Sequence, residues 1–216
     1  LHLFHISTAS EATLFDNKTP LREKRITAEA CVHHLWFTEK DYELLGANIK
    51  WNPSIKSQGD KDGLLKALIE NHIDIIATDH APHTKEEKSG NYFKAMSGGP
   101  LVQHALPAML ELYHQEKISI EKIVEKTSHN VAEIYRMIDR GYIREGYFAD
   151  LVLVDLNNLW KVSSENILYK CGWSPFENQI FKSKISKTFV NGNLVFNSGV
   201  FDDTNKGFRL KFSKIR

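Results

Sequence analysis

The stretch Ile73-Asp-Ile-Ile-Ala-Thr-Asp-His-Ala-Pro-His-Thr84 constrains this chain more than any other. Ile73, Ile75, Ile76 and Ala77 form a short apolar run with the length and β-branched content of a buried strand. Pro82 cannot continue a central strand, so the run ends at Asp79-His80. Asp79, His80 and His83 therefore lie at the C-terminal end of one strand, which is where α/β proteins gather their ligands. A carboxylate in that position can bind a divalent metal and can accept a proton from metal-bound water. The same polar residues also suit a loop that merely caps the next helix.

The segments around this strand read as repeated β and α units. Leu1 to Ile6 alternates loosely between apolar residues and histidine, a strand pattern. Ser7-Thr8-Ala9-Ser10-Glu11 then offers N-cap residues and an early carboxylate for a helix running to about Asp16. His5 becomes a strand-terminal histidine, and a regular pleat turns His2 to the opposite face. Ile26 to Val32 is the next strand, ending at His33-His34. Adjacent histidines on a strand face opposite ways, so the pair reads as structural. Thr38-Glu-Lys-Asp-Tyr predicts a short capped helix. Pro53 makes Asn48 to Ser57 an extended loop, in which Asn52 presents both donors and acceptors. Asp60 is expected to cap a helix with Leu64, Leu65, Leu68 and Ile69 along one face. Strand and helix alternating over short connections predict an α/β chain with parallel strands and right-handed crossovers.

After His83 the stretch from Lys85 to Asn91 is polar and reads as mobile. Ser97-Gly98-Gly99-Pro100-Leu101 leads into a helix over Val102 to Gln115, and glycines there let the backbone approach a ligand closely. Two amphipathic helices follow, Ser119–Lys126 and Ser128–Ile138. From Gly141 the texture changes to short strands, Leu151-Val-Leu-Val-Asp, Lys187-Thr-Phe-Val and Asn193-Leu-Val-Phe. Asn191-Gly192 between the last two is a hairpin signal, because both central residues of a type I′ turn need positive φ. Asp150 reads as a turn residue.

Composition narrows the function. The 216 residues suffice for one large or two small domains. A formal net charge of +1 gives no general attraction to nucleic acid or to anionic membrane. No apolar run reaches membrane-spanning length. Leu1 to Ser7 has neither a basic leader nor a long apolar core. Cys31 and Cys171 are far apart without metal-type spacing, which fits buried thiols in a reducing, cytoplasmic setting. The abrupt opening on a strand reads as the interior of a longer protein.

Thr78-Asp79-His80-Ala81-Pro82-His83-Thr84, followed by Glu86-Glu87-Lys88, closely resembles the last catalytic strand of dihydroorotases, members of the cyclic-amidohydrolase group of metal-dependent amidohydrolases. His5-Ile-Ser-Thr, Asn52-Pro53 and Gly146-Tyr-Phe-Ala-Asp-Leu resemble further motifs of that family. The resemblance covers essentially the whole chain but only the C-terminal part of the family. It implies the C-terminal part of a (β/α)8 barrel over residues 1–140 and a small β-sandwich-type domain over 141–216. The implied reaction is the reversible hydrolysis of the cyclic amide of dihydroorotate to N-carbamoyl-aspartate at a binuclear zinc centre. His5 and Asp79 are implied metal ligands, and Asp79 the proton carrier. Asn52, His83, Gly99 and Leu101 are implied substrate contacts. The family's His-x-His pair and bridging ligand have no counterpart here, so the isolated chain is expected to be inactive. The implied partner is the small-molecule substrate, and a homodimer stays open. A hydantoinase-like or allantoinase-like cyclic amidase, or a non-catalytic dihydroorotase-like subunit that scaffolds a partner enzyme, are the competing readings.

Overall fold

The computed structural model describes residues 1–214; the last two positions of the expected small domain lie outside the described residues. The first unit is built on three parallel strands, β1 (His2–Leu3), β2 (Thr27–Cys31) and β3 (Ile75–Ala77), in the order β1-β2-β3. Their pairing sets His2 beside Thr27 and Glu29 beside Ile75. Alternation along β2 turns Ala28 and Ala30 toward the helices. There they join Ile76, Leu64, Leu68 and Leu35 in one apolar core. Thr27, Glu29 and Cys31 occupy the opposite face.

Helices enter where local chemistry predicts them. Thr8 caps α1 (Ala9–Ala12), with Glu11 returning the bond in a capping box. Thr38 and Asp41 form a second box. The short helices α2 (Val32–Trp36) and α3 (Tyr42–Leu45) follow β2. Helix α4 (Gln58–Ile69) is capped by Ser57 rather than by the expected Asp60. The Asp60 N–H donates to Ser57, whose hydroxyl donates back to the Asp60 carboxylate at 2.6 Å. Ile69, expected on the buried face, is exposed at the helix end. Helix α5 (Ala105–His114) closes the core with Met109 and Leu112. The two helices expected between Ser119 and Ile138 run together, because α6 (Ile120–Val124) passes through a π-turn into α7 (Asn130–Tyr135). The expected strand ending at His33-His34 stops earlier, and both histidines lie in α2.

The later part of the chain forms a four-stranded antiparallel sheet, β4 (Leu151–Asp155), β7 (Lys184–Val190), β8 (Asn193–Asn197) and β9 (Val200–Phe201), in that order. Asn191 and Gly192 both have positive φ, as the hairpin requires. Asp150 accepts from the Asn191 N–H and pairs with Arg140, which ties that hairpin to the end of the helical run. The remaining pair, β5 (Trp160–Lys161) and β6 (Ile180–Phe181), forms a separate two-stranded antiparallel sheet. Val162, Phe176 and Phe181 join the core of the first unit, with Trp36 edge-on to both phenylalanines. Packing therefore crosses the expected boundary at 140, because this aromatic segment finds its apolar partners on α2 and α5.

Below β3, Asp74 is almost fully buried. It accepts from the Lys24 ammonium at 2.7 Å and from the Ala28 N–H at 2.9 Å. Lys24→Met would strand that carboxylate without its counter-charge, and equilibrium denaturation should show a loss of about 3–5 kcal/mol. His104, at the start of α5, is fully buried, with Nδ1 2.9 Å from the Ser174 hydroxyl. Burial lowers its pKa to about 4. Its neutral form thus contributes stability that is complete above the unfolded value of about 6.5 and is lost as pH falls through about 4. The denaturation midpoint should drop across that window, and the drop should shrink in His104→Gln.

Candidate active site

The C-terminal ends of β1 and β3 both leave the sheet through a non-glycine residue in the left-handed region, His5 (φ 40°) and Asp79 (φ 46°). This conformation costs a residue with a Cβ about 1 kcal/mol or more. It also breaks strand alternation, so the two side chains are aimed by the turn and not by the pleat. His5 lies close enough to act on the Asp79 carboxyl. Burial raises the Asp79 carboxyl above its ordinary value, the neighbouring His5 opposes that rise, and Glu29 adds to it. His5 and Asp79 are thus brought together across the mouth of the parallel sheet. Glu29, which the sequence reading passed over, lies beneath them on β2. Its carboxylate accepts from the His5 N–H at 3.4 Å and meets the His2 ring at 3.0 Å. The other His2 nitrogen faces the Thr27 hydroxyl at 2.8 Å, so both His2 nitrogens are engaged and neither is left for an ion.

The other sequence-predicted residues gather on the same end of the sheet. His80 forms a parallel bridge to Gly99, extending the sheet past β3. Its Nδ1 accepts from the N–H groups of Leu101 and Val102, at 3.0 and 3.3 Å. That fixes the tautomer with the proton on Nε2, and it occupies the Leu101 N–H, whose side chain is fully buried. The expected Leu101 backbone donor is therefore engaged by His80. Gly98 abuts Ala81 and His83. Gly99 abuts Trp51, with no room for a Cβ, which would lie 2.7 Å from the indole. Asn52 is exposed beside Trp51 and lines an open cleft of about 430 Å³ with Lys50, Ser54, Lys56 and Tyr92. His83 is half-buried; its Nδ1 meets Glu87 at 3.2 Å and its carbonyl accepts from the Trp173 indole at 2.8 Å.

Two supports escaped the sequence reading. Trp173, in the loop after Cys171, reaches back across the fold to hold His83 and to wall Gly99. Lys88 is buried within the stretch that reads as mobile. Its ammonium donates to the carbonyls of Lys50, Met96 and Gly98 at 3.0, 2.9 and 2.6 Å. Burial, with the nearby Lys50 charge, lowers its pKa to about 8. Neither has a local sequence signal, because each bridges segments far apart in the chain or across a loop.

A zinc site takes three or four protein ligands. The two ligands expected from the sequence, His5 and Asp79, would supply only two, and among the described residues neither belongs to a cluster of three. Among the described residues the one group of three or more potential ligands whose atoms approach each other is Cys31, His33 and His34. The described residues therefore do not complete a binuclear centre.

A parallel β/α sheet with acid, imidazole and amide groups assembled at its C-terminal edge defines the class of domain. The chain belongs to the amidohydrolase family, whose sequence profile matches residues 2–195. The resemblance to dihydroorotases holds along the chain. It is 37% identical to the dihydroorotase of Clostridioides difficile over 174 residues, covering 80% of this chain and 41% of that protein. It is 35% identical to that of Halobacterium salinarum over 83% of this chain and 43% of that protein. The chain thus spans less than half the length of these curated relatives. Among solved structures, the L-hydantoinase (dihydropyrimidinase) of Arthrobacter aurescens superposes with a TM-score of 0.83 at 26% identity. That match covers 93% of this chain and 46% of that one. Among the described residues no helix is long and apolar enough to cross a membrane.

Lys88→Met removes three hydrogen bonds from buried carbonyls and should loosen the loop that carries His83, Gly98 and Gly99. Amide exchange across residues 84–99 should accelerate by roughly tenfold or more, while exchange in β2 and α4 stays unchanged.

Proposed function

We propose that this chain is the C-terminal part of a dihydroorotase-type cyclic amidohydrolase and opens the ring amide of dihydroorotate to N-carbamoyl-aspartate once the rest of the barrel is supplied. The carrying observation is the placement of His5 and Asp79, both with positive φ, just past the C-terminal ends of parallel strands in one sheet. In this reading residues 1–140 are part of a (β/α)8 barrel and residues 141–216 a small β-rich domain lent partly to its core. His5 and Asp79 contribute to a zinc centre whose other ligands come from polypeptide outside this chain. Bound divalent metal would polarise the amide carbonyl and acidify water.

The remaining steps belong to this chain. Asp79, with a carboxyl raised by burial, takes one proton of the attacking water and returns it to the ring nitrogen as the C–N bond breaks. The second water proton passes to solvent, and the former carbonyl carbon ends as a carboxylate. His83, oriented by Glu87 and Trp173, meets the substrate's exocyclic carboxylate. Asn52 and the Gly98-Gly99 backbone position the ring. His80 contributes by holding the helix-entry loop against β3. The protein works in the cytoplasm, in pyrimidine biosynthesis.

The similarity to hydantoinases supports a second reading, a cyclic amidase for five-membered or unsubstituted rings. The two are separated by assaying the chain with zinc, alone and mixed with the N-terminal half of a dihydroorotase relative. Turnover of dihydroorotate only in the mixture is the expected result. Turnover of hydantoin in its place would favour the second reading, and dihydroorotate turnover by the chain alone would overturn the need for a complementing half. In the active mixture Asp79→Asn should lower kcat by about 10²–10⁴-fold with an unchanged thermal unfolding profile.

A further inference from the structure

We propose that Cys31, His33 and His34 form a separate soft-metal site, of the zinc(II) class, that pins the junction between β2 and α2. This goes beyond the reading above and does not depend on it, since none of the three residues takes part in the reaction proposed there.

Cys31 is the last residue of β2, and α2 starts at the next position. The first turn of that helix swings both imidazoles back toward the thiol. Strand geometry would have sent them to opposite faces; helix geometry leaves their ring centroids 4.1 Å apart. One ligand atom from each of the three residues lies within 4.8 Å of the other two. Bonds of about 2.0–2.3 Å in a tetrahedral site place ligand atoms about 3.5 Å apart, so small side-chain rotations close the site.

The hydrogen bonding points to an ion. All three residues are buried, His33 completely. Among the described residues neither ring nitrogen of His33 makes a well-aligned hydrogen bond, although the Thr78 backbone lies close enough to act on the ring, and Nδ1 of His34 has no partner. Buried polar atoms without partners are rare and costly. His34 Nε2 lies 3.1 Å from the Pro53 carbonyl. A carbonyl only accepts, so Nε2 carries the proton and Nδ1 holds a free lone pair. An imidazole whose far nitrogen donates to a backbone carbonyl is the usual arrangement of a metal-binding histidine. His33 is held in plane by the Trp51 indole, stacked at 4.4 Å and 9°.

The donor set names the ion class. One sulfur and two imidazole nitrogens suit zinc and cobalt and are poor ligands for magnesium or calcium. Binding replaces the S–H bond of Cys31 by a metal–sulfur bond, and the proton leaves to solvent. No oxidant or reductant is needed. Three protein ligands leave one position for water. Cys31 shares a face of β2 with Glu29 and is fully buried, so an ion enters only when the β2–α2 junction opens locally.

The test is cobalt(II) titration of the 216-residue chain under phosphine reductant, followed by zinc competition. We expect a near-ultraviolet thiolate-to-cobalt charge-transfer band that saturates at about one ion per chain and is displaced by zinc. The band should vanish in Cys31→Ser and persist in Cys171→Ser and in the double change His5→Ala/Asp79→Ala. His33→Gln and His34→Gln should each weaken binding by more than about tenfold. No band in the unaltered chain, or a band that survives Cys31→Ser, overturns the proposal. X-ray absorption at the zinc edge of the unaltered chain decides the matter if Cys31→Ser does not fold. One sulfur with nitrogen neighbours supports the site, and a shell of nitrogen and oxygen alone overturns it.

Discussion

The fold depends on how β3 is held against β2, and a single buried carboxylate does most of that work. Asp74 donates its N–H to the Ala28 carbonyl, accepts the Ala28 N–H through its side chain, and accepts the Lys24 ammonium on its other oxygen. Its own carbonyl accepts from the Asn130 amide on α7. Three segments distant in sequence therefore agree on one register. A slip by one residue would turn β3 over and send Asp79 to the wrong side of the sheet. Lys126 strengthens the same floor by donating to the Ile73 carbonyl and the Asn71 amide oxygen. The chemistry at the top of the strands is positioned from the bottom, five residues away along a rigid extended chain.

This explains which features were legible in the sequence. The end of β3 is written locally, by an apolar run stopped at Asp79 and Pro82. So are the capping boxes at Thr8 and Thr38, and the Asn191-Gly192 hairpin, since each is a short-range hydrogen bond or a φ preference. The Lys24–Asp74 pair, the Lys88 cradle and the Trp173 brace join residues that are near only after folding, and no spacing rule marks them. The misreading of His33-His34 has a similar source. Whether a strand ends one residue before or after a histidine cannot be read from periodicity, yet it decides whether two imidazoles diverge or converge. The aromatic segment between Trp160 and Phe181 was also hard to read, because it satisfies strand patterns while Val162, Phe176 and Phe181 pack as core with α2 and α5.

The histidines show how differently one residue type is used in a small region. His2 has both nitrogens engaged by Thr27 and Glu29. His80 uses its Nδ1 lone pair to tie down a helix-entry loop. His104 is a buried neutral ring whose Nδ1 meets a serine. Each of these three makes a hydrogen bond through at least one ring nitrogen, although Nε2 of His104 is buried without a partner among the described residues. His33 and His34 differ in lying together beside a thiol, with three of their four ring nitrogens lacking a well-aligned hydrogen bond among the described residues.

Strain points the same way at the mouth of the sheet. His5 and Asp79 adopt a backbone that residues with a Cβ avoid, and they do so at the ends of β1 and β3, in the same sheet. Nothing in the packing below requires it. Ile6 donates to the Glu29 carbonyl just beyond His5, and the His80–Gly99 bridge follows just after Asp79, so the chain is gripped immediately past each turn. These contacts hold each backbone in its unfavourable conformation, and the conformation in turn fixes where the side chain is aimed. The two residues so aimed are an imidazole and a carboxyl whose ionisation the imidazole favours. That geometry is what a site for a shared ligand needs, whether or not the remaining donors lie in the same polypeptide.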